Sequence, residues 1–161
     1  MKAKKYLGYL LVFFAANLFS ATDKLIQVIY VADVKINGAS EEWAAILTNR
    51  IREEFAKSSR HKLANPASNG ALDQAKNYNE SCLSVEECAR KEAKAVDADE
   101  VLISDVTKIE GLCRITMRLE NIYTKEIIKS KNMKASCSLD DLEEKTVDLV
   151  YLMMKKEGLL G

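Results

Sequence analysis

Residues 100–121 have the sequence EVLISDVTKIEGLCRITMRLEN, and this stretch decides the fold class. It opens with the apolar run Val101–Ile103, which lacks alternation and is typical of a strand covered on both faces. The pair Glu110-Gly111 then turns the chain. From residue 112 onward apolar and polar side chains alternate, which predicts a second strand with one face in the core and one face exposed to solvent. The two strands form a hairpin and must be antiparallel.

A central strand and a helix are predicted before this hairpin. Residues 25–32 are apolar on both alternating faces and rich in β-branched residues, as expected of a strand in the middle of a sheet. After a turn at Asn37-Gly38, Ser40 is the predicted N-cap of a helix that extends to about residue 57. The apolar stripe of this helix recurs at steps of four and consists of Trp43, Leu47, Ile51 and Phe55.

The other elements are shorter or lie at the edges of the sheet. Residues 61–64 predict a short edge strand that Asn65-Pro66 stops, because proline cannot donate to a sheet ladder. Ser84 and Glu87 form a capping box that starts a second helix. Residues 127–137 predict an edge strand whose lysines disfavour unwanted pairing with other strands. A last helix is predicted to begin at Ser138. The lysines of that edge strand are Lys129, Lys131 and Lys134.

The order of these elements predicts an α/β domain with a mixed sheet. It runs strand, helix, short strand, helix, three consecutive strands and a final helix. The first connections are long enough to join parallel strands, whereas the hairpins must be antiparallel. Two strands that are apolar on both faces require helices on both sides of the sheet. We therefore expect one domain over residues 22–161.

The first 21 residues have the pattern of a Sec-type signal peptide. A basic head is followed by the apolar run Tyr6–Phe19, which is too short for a permanent membrane span. Cleavage would remove Lys2, Lys4 and Lys5, leaving 21 basic against 24 acidic residues and a net charge of about −3. The predicted product is periplasmic, has no stable membrane span after cleavage, and binds no nucleic acid. Association with the outer membrane and retention of the apolar segment as an anchor both stay open.

The composition excludes most enzyme templates. The chain has one histidine, so sites built on two or more histidines are excluded. That residue, His61, lies between Arg60 and Lys62 and is predicted to be solvated. We predict no catalytic residue, no metal site and no cofactor.

Four cysteines in an exported chain favour two disulfides. Cys82 and Cys88 flank the start of the second helix, where a thiolate is stabilised, so a thiol oxidoreductase is the alternative to a structural disulfide. Cys113 and Cys137 flank the second hairpin. A three-residue loop would place these two on the same face of the sheet, and a two-residue loop would place them on opposite faces.

Three stretches resemble the periplasmic domains of the TolB N-terminal and CsgG type. They are Ser81–Ala89, with its cysteine pair before a helix, Ala95–Val106, similar to the family pattern ADxVVxGxV, and Arg118–Ile128, similar to RLVDVxTGEV. Ser104 and Lys125 stand where the family usually has glycine. The resemblance covers about residues 25–155.

The resemblance implies both a fold and a kind of function. The fold is a three-layer α/β/α sandwich, anticodon-binding-domain-like, with five strands in the order 2-1-3-4-5 and the fourth antiparallel. Members are non-enzymatic interaction or assembly modules of the bacterial envelope, in outer-membrane secretion, the Tol-Pal system, flagellar basal bodies or cell-wall synthesis. The implied partners are envelope proteins, and a homo-oligomer stays open.

The candidate partner surfaces are the two predicted sheet edges, residues 61–64 and 127–137. An edge strand offers unpaired backbone groups, so a partner can bind by adding a strand, and helix docking is the other mode. The candidate partner-binding residues are Lys129, Lys131 and Lys134.

Overall fold

The structure is a computed structural model that describes residues 26–64 and 82–155. The predicted signal peptide, residues 1–21, lies outside the described residues and stays a prediction. None of the helices in the two described ranges is long and apolar enough to cross a membrane.

The described chain forms six strands and three helices. The strands lie in one sheet in the order β3-β1-β4-β5-β6, with β2 also paired to β4. The elements are β1 (Gln27–Val31), β2 (Lys35–Asn37), α1 (Trp43–Ala56), β3 (His61–Leu63), α2 (Val85–Ala95), β4 (Glu100–Ile109), β5 (Leu112–Asn121), β6 (Ile127–Ser136) and α3 (Leu139–Met154).

The observed topology confirms the predicted strand order. Without β2, the five remaining strands follow the order 2-1-3-4-5. Strands β1, β3 and β4 are parallel, and β5 is antiparallel to both of its neighbours. The short strand β2 was not predicted. It pairs with Asp105–Thr107, further along β4 than the residues that pair with β1, and three residues are too few to show a periodicity.

Helices cover both faces of the sheet, which confirms the three-layer sandwich. Helices α1 and α3 pack on one face around the larger apolar cluster, whereas α2 packs on the other face around a smaller one. The larger cluster includes Leu47, Ile51, Phe55, Leu102, Met117 and Leu149, and the smaller includes Tyr30, Ala93, Val101 and Ile122. We call the side of the sheet under α1 and α3 the core face and the opposite side the α2 face.

Both hairpin turns require positive φ angles. Glu110 and Gly111 have φ values of 50° and 86°, as a two-residue turn that follows the twist of the strands demands. In the β5–β6 connection, Lys125 has φ 61°. It therefore adopts the left-handed conformation at the position where the resembling family usually has glycine.

The two predicted helix starts differ in outcome. The Ser84 hydroxyl accepts a hydrogen bond from the Glu87 amide at 3.2 Å, and the Glu87 carboxylate accepts one from the Leu83 amide at 3.1 Å. The capping role of Ser84 is thus confirmed. The prediction for Ser40 was wrong, because α1 begins at Trp43 with no side-chain cap. A turn precedes it instead, in which the Ser40 carbonyl accepts a hydrogen bond from the Trp43 amide at 3.2 Å.

Candidate interaction surface

Strand β6 is an edge of the sheet, and its register contains an irregularity. It is ten residues long, and in the part of the chain that the structure describes no strand pairs with its outer side. Glu120 pairs with Ile127, but Leu119 pairs with Lys129, so a β-bulge shifts the register by one residue. Beyond the bulge the pairing is regular as far as Ser136.

The structure separates the three candidate lysines into two groups. Lys129 and Lys131 pair with Leu119 and Met117 on the core face, beside α3. The Lys129 ammonium donates a hydrogen bond to the Lys155 carbonyl at 2.6 Å, at the end of that helix. Side chains alternate along a strand, so Lys134 lies on the α2 face, where it is exposed. The three lysines therefore do not form one patch.

Helix α2 covers only part of its face of the sheet. It packs on β1 and β4, whereas β6 and the neighbouring part of β5 are left to solvent. We call this uncovered part the open face. Its side chains form cross-strand rows, of which one is Asp105, Thr116 and Asn132 and the next is Thr107, Arg114 and Lys134.

Two basic side chains of the open face lie directly opposite one another. Arg114 of β5 pairs with Lys134 of β6, and both are exposed. Within the described ranges neither side chain has an ion pair or hydrogen bond. Like charges at directly opposed positions destabilise a sheet. The acidic residue of the neighbouring row, Asp105, accepts a hydrogen bond from the Thr107 hydroxyl at 3.4 Å, and burial raises its pKa above the usual range.

The part of β5 nearest α2 is not wet, which corrects the sequence expectation. Glu120 is 3% exposed, because side chains of α2 and β5 cover it. Arg90 of α2 donates a hydrogen bond to its carboxylate at 2.7 Å, and Arg118 Nε lies 2.6 Å from the other oxygen in an ion pair. Arg118 also donates to Glu86 of α2 at 3.2 Å. This four-residue network joins α2 to the sheet.

Both predicted disulfides are present. The Cα atoms are 5.5 Å apart in Cys82–Cys88 and 5.1 Å apart in Cys113–Cys137, and no cysteine is free. Cys113 pairs with Ala135, so Cys137 lies two residues further along on the same face. The connection is longer than the three-residue loop considered from the sequence. The bulge in β6 supplies the one-residue shift that brings the two cysteines to one face.

The cysteine pair at α2 does not support an oxidoreductase. Cys82 and Cys88 are half-buried rather than fully buried, and they line a shallow cleft of about 450 Å³ together with Asp33, Lys35 and Glu92. Their separation of six residues is not the two-residue gap of a thiol-exchange motif. The disulfide instead fixes the segment before α2 to the first turn of the helix. Across residues 26–64 and 82–155 no group of three or more His, Cys, Asp or Glu side chains is placed to hold a metal ion.

His61 is half-buried rather than fully solvated as the sequence had suggested. Its ring meets Phe55 edge-on at a centroid distance of 5.7 Å, and its Nδ1 atom lies 3.2 Å from the Ser58 hydroxyl. Burial, together with the charge of Arg60, lowers the pKa of His61. The histidine therefore serves to pack β3 on α1.

Glu100 is a buried carboxylate, although its sequence context was typical of a solubilising surface charge. It is 2% exposed at the start of β4, and its Oε2 atom has no hydrogen-bond partner in the described structure. Burial, with a smaller contribution from Asp99, raises the pKa of Glu100 to about 7. The folded protein therefore holds this proton more tightly than the unfolded chain does.

We expect Glu100→Gln to stabilise the protein at alkaline pH and not at acid pH. The pKa of Glu100 is raised on folding, so its unfavourable effect is absent below about pH 4.5 and complete above about pH 7. At pH 8 the variant should gain on the order of 2 kcal/mol in the free energy of unfolding. Urea unfolding at pH 4 and pH 8 measures this. The exposed Glu41→Gln is the control, and an equal gain for Glu100→Gln at both pH values would contradict the buried charge.

Comparisons with solved structures find a similar fold in other bacterial proteins. No protein-family model and no curated protein matches the sequence. The LpoB C-terminal domain from Escherichia coli is similar at a TM-score of 0.55 and 24% identity, over 69% of this chain and 83% of that one. Lipoprotein GNA1162 from Neisseria meningitidis is similar at 0.54 and 11%, over 82% and 99%. TolB from Acinetobacter baumannii is more distant, at 0.49 and 8%, over 80% and 28%.

At these identities the likeness shows the fold alone. The LpoB domain and GNA1162 share the α/β/α arrangement with this chain, so a fold found in bacterial envelope proteins is established. The match to TolB is too distant to carry an argument, and the resemblance to CsgG-type domains stays a prediction.

Sequence reasoning missed Arg114 as part of the candidate surface. The signal was present, since the alternation of β5 puts Arg114 on the face opposite Cys113 and Ile115. Its position opposite Lys134 depends on the β5–β6 register, which the bulge sets.

Proposed function

We propose that this protein is a non-enzymatic interaction module of the bacterial envelope that acts in the periplasm. The observation that carries the proposal is a ten-residue edge strand whose outer side is unpaired among the described residues. Beside it lies an exposed basic pair, and the LpoB C-terminal domain shares the fold. Secretion, Tol-Pal, flagellar and cell-wall-synthesis assemblies are the settings that the family resemblance implies.

The module would work by presenting backbone and side chains on a rigid frame. Edge strands bind partners through main-chain hydrogen bonds, and contacts with every second side chain of the bound segment determine which sequences bind. Strand β6 is held by β5 on its inner side and by α3 on its core face, so a partner meets an ordered edge. Export by residues 1–21 would place this edge in the periplasm.

We expect crosslinking in intact cells to recover a defined envelope protein. A photoreactive residue at Asn132, which is exposed on the open face of β6, should give a discrete adduct that mass spectrometry identifies. The mass of the recovered protein also reports signal cleavage and both disulfides. The control is the same probe at Glu53, on the exposed side of α1.

Two outcomes would contradict the proposal. One is an adduct with cytoplasmic proteins only, which would remove the periplasmic location. The other is the recovery of nothing but mixed disulfides with many unrelated proteins, which an interaction module with two intact disulfides should not form.

A further inference from the structure

We propose that the open face beside β6 binds an extended acidic segment of an envelope partner, which joins the sheet as a strand next to β6. The proposal rests on the function proposed above and adds the binding surface and the chemistry of the ligand. The edge, the charges and the apolar ends of the strand each contribute to the argument.

The outer side of β6 has room for a long added strand. Ten residues in extended conformation span about 33 Å, and none of the described elements pairs with that side. Helix α3 packs on the core face, and its Asp141 accepts a hydrogen bond from the Ser136 amide at the end of β6, so the part of the edge open to an added strand lies before Ser136. An added strand would continue the ladder that β5 and β6 already form.

Neither basic residue of the open face is paired with its one neighbouring carboxylate, since Asp105 accepts a hydrogen bond from Thr107 instead. Arg114 and Lys134 oppose one another without an ion pair in the described ranges, which is an unfavourable arrangement on its own. The neighbouring basic residue Arg118 differs, because Glu86 and Glu120 neutralise it. A carboxylate on an adjacent added strand would lie beside Lys134, in the same cross-strand row as Arg114 and two strands away from it. Binding would thus convert a repulsive pair into an attractive group.

A second copy of this chain is a poor occupant of the edge. Residues Ile127–Ser136 contain three lysines and no acidic residue. Two copies of β6 in antiparallel pairing would bring lysines of both chains together, and like charges across a strand pair are unfavourable. The composition of the edge therefore favours a partner strand that is acidic and different from β6.

Exposed apolar side chains mark both ends of the site. At the β4–β5 turn, Ile109 and Leu112 pair directly and are 45% and 50% exposed. At the other end, Ile127 and Ile128 are exposed beside the bulge. We infer that the segment carries acidic residues in its middle and an aliphatic residue near each end.

The test uses defined peptides and the mature protein with both disulfides intact. One fluorescent peptide alternates glutamate and threonine over about ten residues, with isoleucine at both ends, and a matched peptide replaces each glutamate by lysine. Fluorescence anisotropy measures binding, and backbone amide NMR locates it. We expect the acidic peptide to bind, the basic peptide not to bind, and the amide shifts to fall on Ile127–Ser136.

Charge-reversal variants then test the basic pair. We expect Lys134→Glu and Arg114→Glu each to weaken binding of the acidic peptide about tenfold or more. The matched control is Lys62→Glu, because Lys62 is an exposed lysine on β3, the opposite edge strand. Lys134→Glu should also bind the basic peptide better than the unchanged protein does.

Three results would overturn the inference. They are no binding of the acidic peptide at about 1 mM, an equal loss for Lys62→Glu and Lys134→Glu, or amide shifts confined to β3 or the helices. If peptide binding gives any of these results but crosslinking still recovers an envelope protein, the proposed function is supported and only the proposed binding surface is contradicted. If the acidic peptide binds as expected but crosslinking recovers no envelope protein, the proposed function is contradicted and peptide binding is a property of the domain only.

Discussion

Replacing both Cys113 and Cys137 by alanine is expected to lower the free energy of unfolding by about 3.5 kcal/mol. The disulfide closes a 24-residue separation, and the chain-entropy account of crosslinks predicts this magnitude for a loop of that length. Cys113 is also 1% exposed in the larger apolar cluster, so its side chain contributes packing as well. Urea unfolding monitored by circular dichroism measures the loss.

The second disulfide is the matched control for this experiment. Cys82 and Cys88 are only six residues apart, so their replacement by alanine should cost about 2 kcal/mol in the same assay. An effect of Cys82→Ala with Cys88→Ala that equals or exceeds that of the other pair would show that loop length does not control the stabilisation. When both disulfides are removed, the loss in the free energy of unfolding should approximate the sum of the two separate losses, because the pairs lie on different elements.

Arg118→Ala is expected to lower the free energy of unfolding by about 3 kcal/mol. The substitution leaves Glu120 buried with Arg90 as its remaining partner and removes the contact to Glu86. Breaking a buried ion pair by removing one partner is costly because a desolvated charge stays behind. Thermal or urea unfolding at pH 7 measures the difference from the unchanged protein.

Arg114→Ala separates this effect from the loss of any arginine on β5. Arg114 lies four residues earlier on the same face but is exposed and has no ion pair in the described ranges. Its removal should change the free energy of unfolding by no more than about 0.5 kcal/mol. Equal losses for the two variants would mean that the network with Glu120 does not stabilise the domain.

The strand order and the layers could be predicted because they depend on patterns several residues long. The apolar run at the start of β4 and the alternation in β5 each extend over enough positions to identify a face. The stripe of α1 is confirmed in the same way, since Leu47, Ile51 and Phe55 are buried and Trp43 is partly buried against the same cluster. Two disulfides were expected from four cysteines in a chain predicted to be exported, and their pairing from the positions of Cys82 and Cys88 at one helix start and of Cys113 and Cys137 around one hairpin.

What could not be predicted depends on single residues and on contacts between distant elements. Strand β2 has three residues, too few for a periodicity. The bulge in β6 determines which of its residues face the core, and a one-residue shift reverses every side chain. The alternation in β5 predicts that Glu120 faces solvent. Its burial depends on Arg90 of α2, which lies thirty residues earlier in the chain and could not be identified from the local pattern. The sequence placed the three candidate lysines on one strand, but it did not show that they occupy two faces or that Arg114 lies opposite Lys134.

The Cys113–Cys137 bond also determines how β6 would respond to tension along the strand. An edge strand is ordinarily the element most easily peeled away or exchanged between neighbouring molecules. Here β6 lies inside a covalent ring, because the bond joins β5 near its first residue to the residue just after β6. The strand cannot be withdrawn or swapped as a single piece, so tension applied to β6 would pass through the bond to β5, the next strand of the sheet.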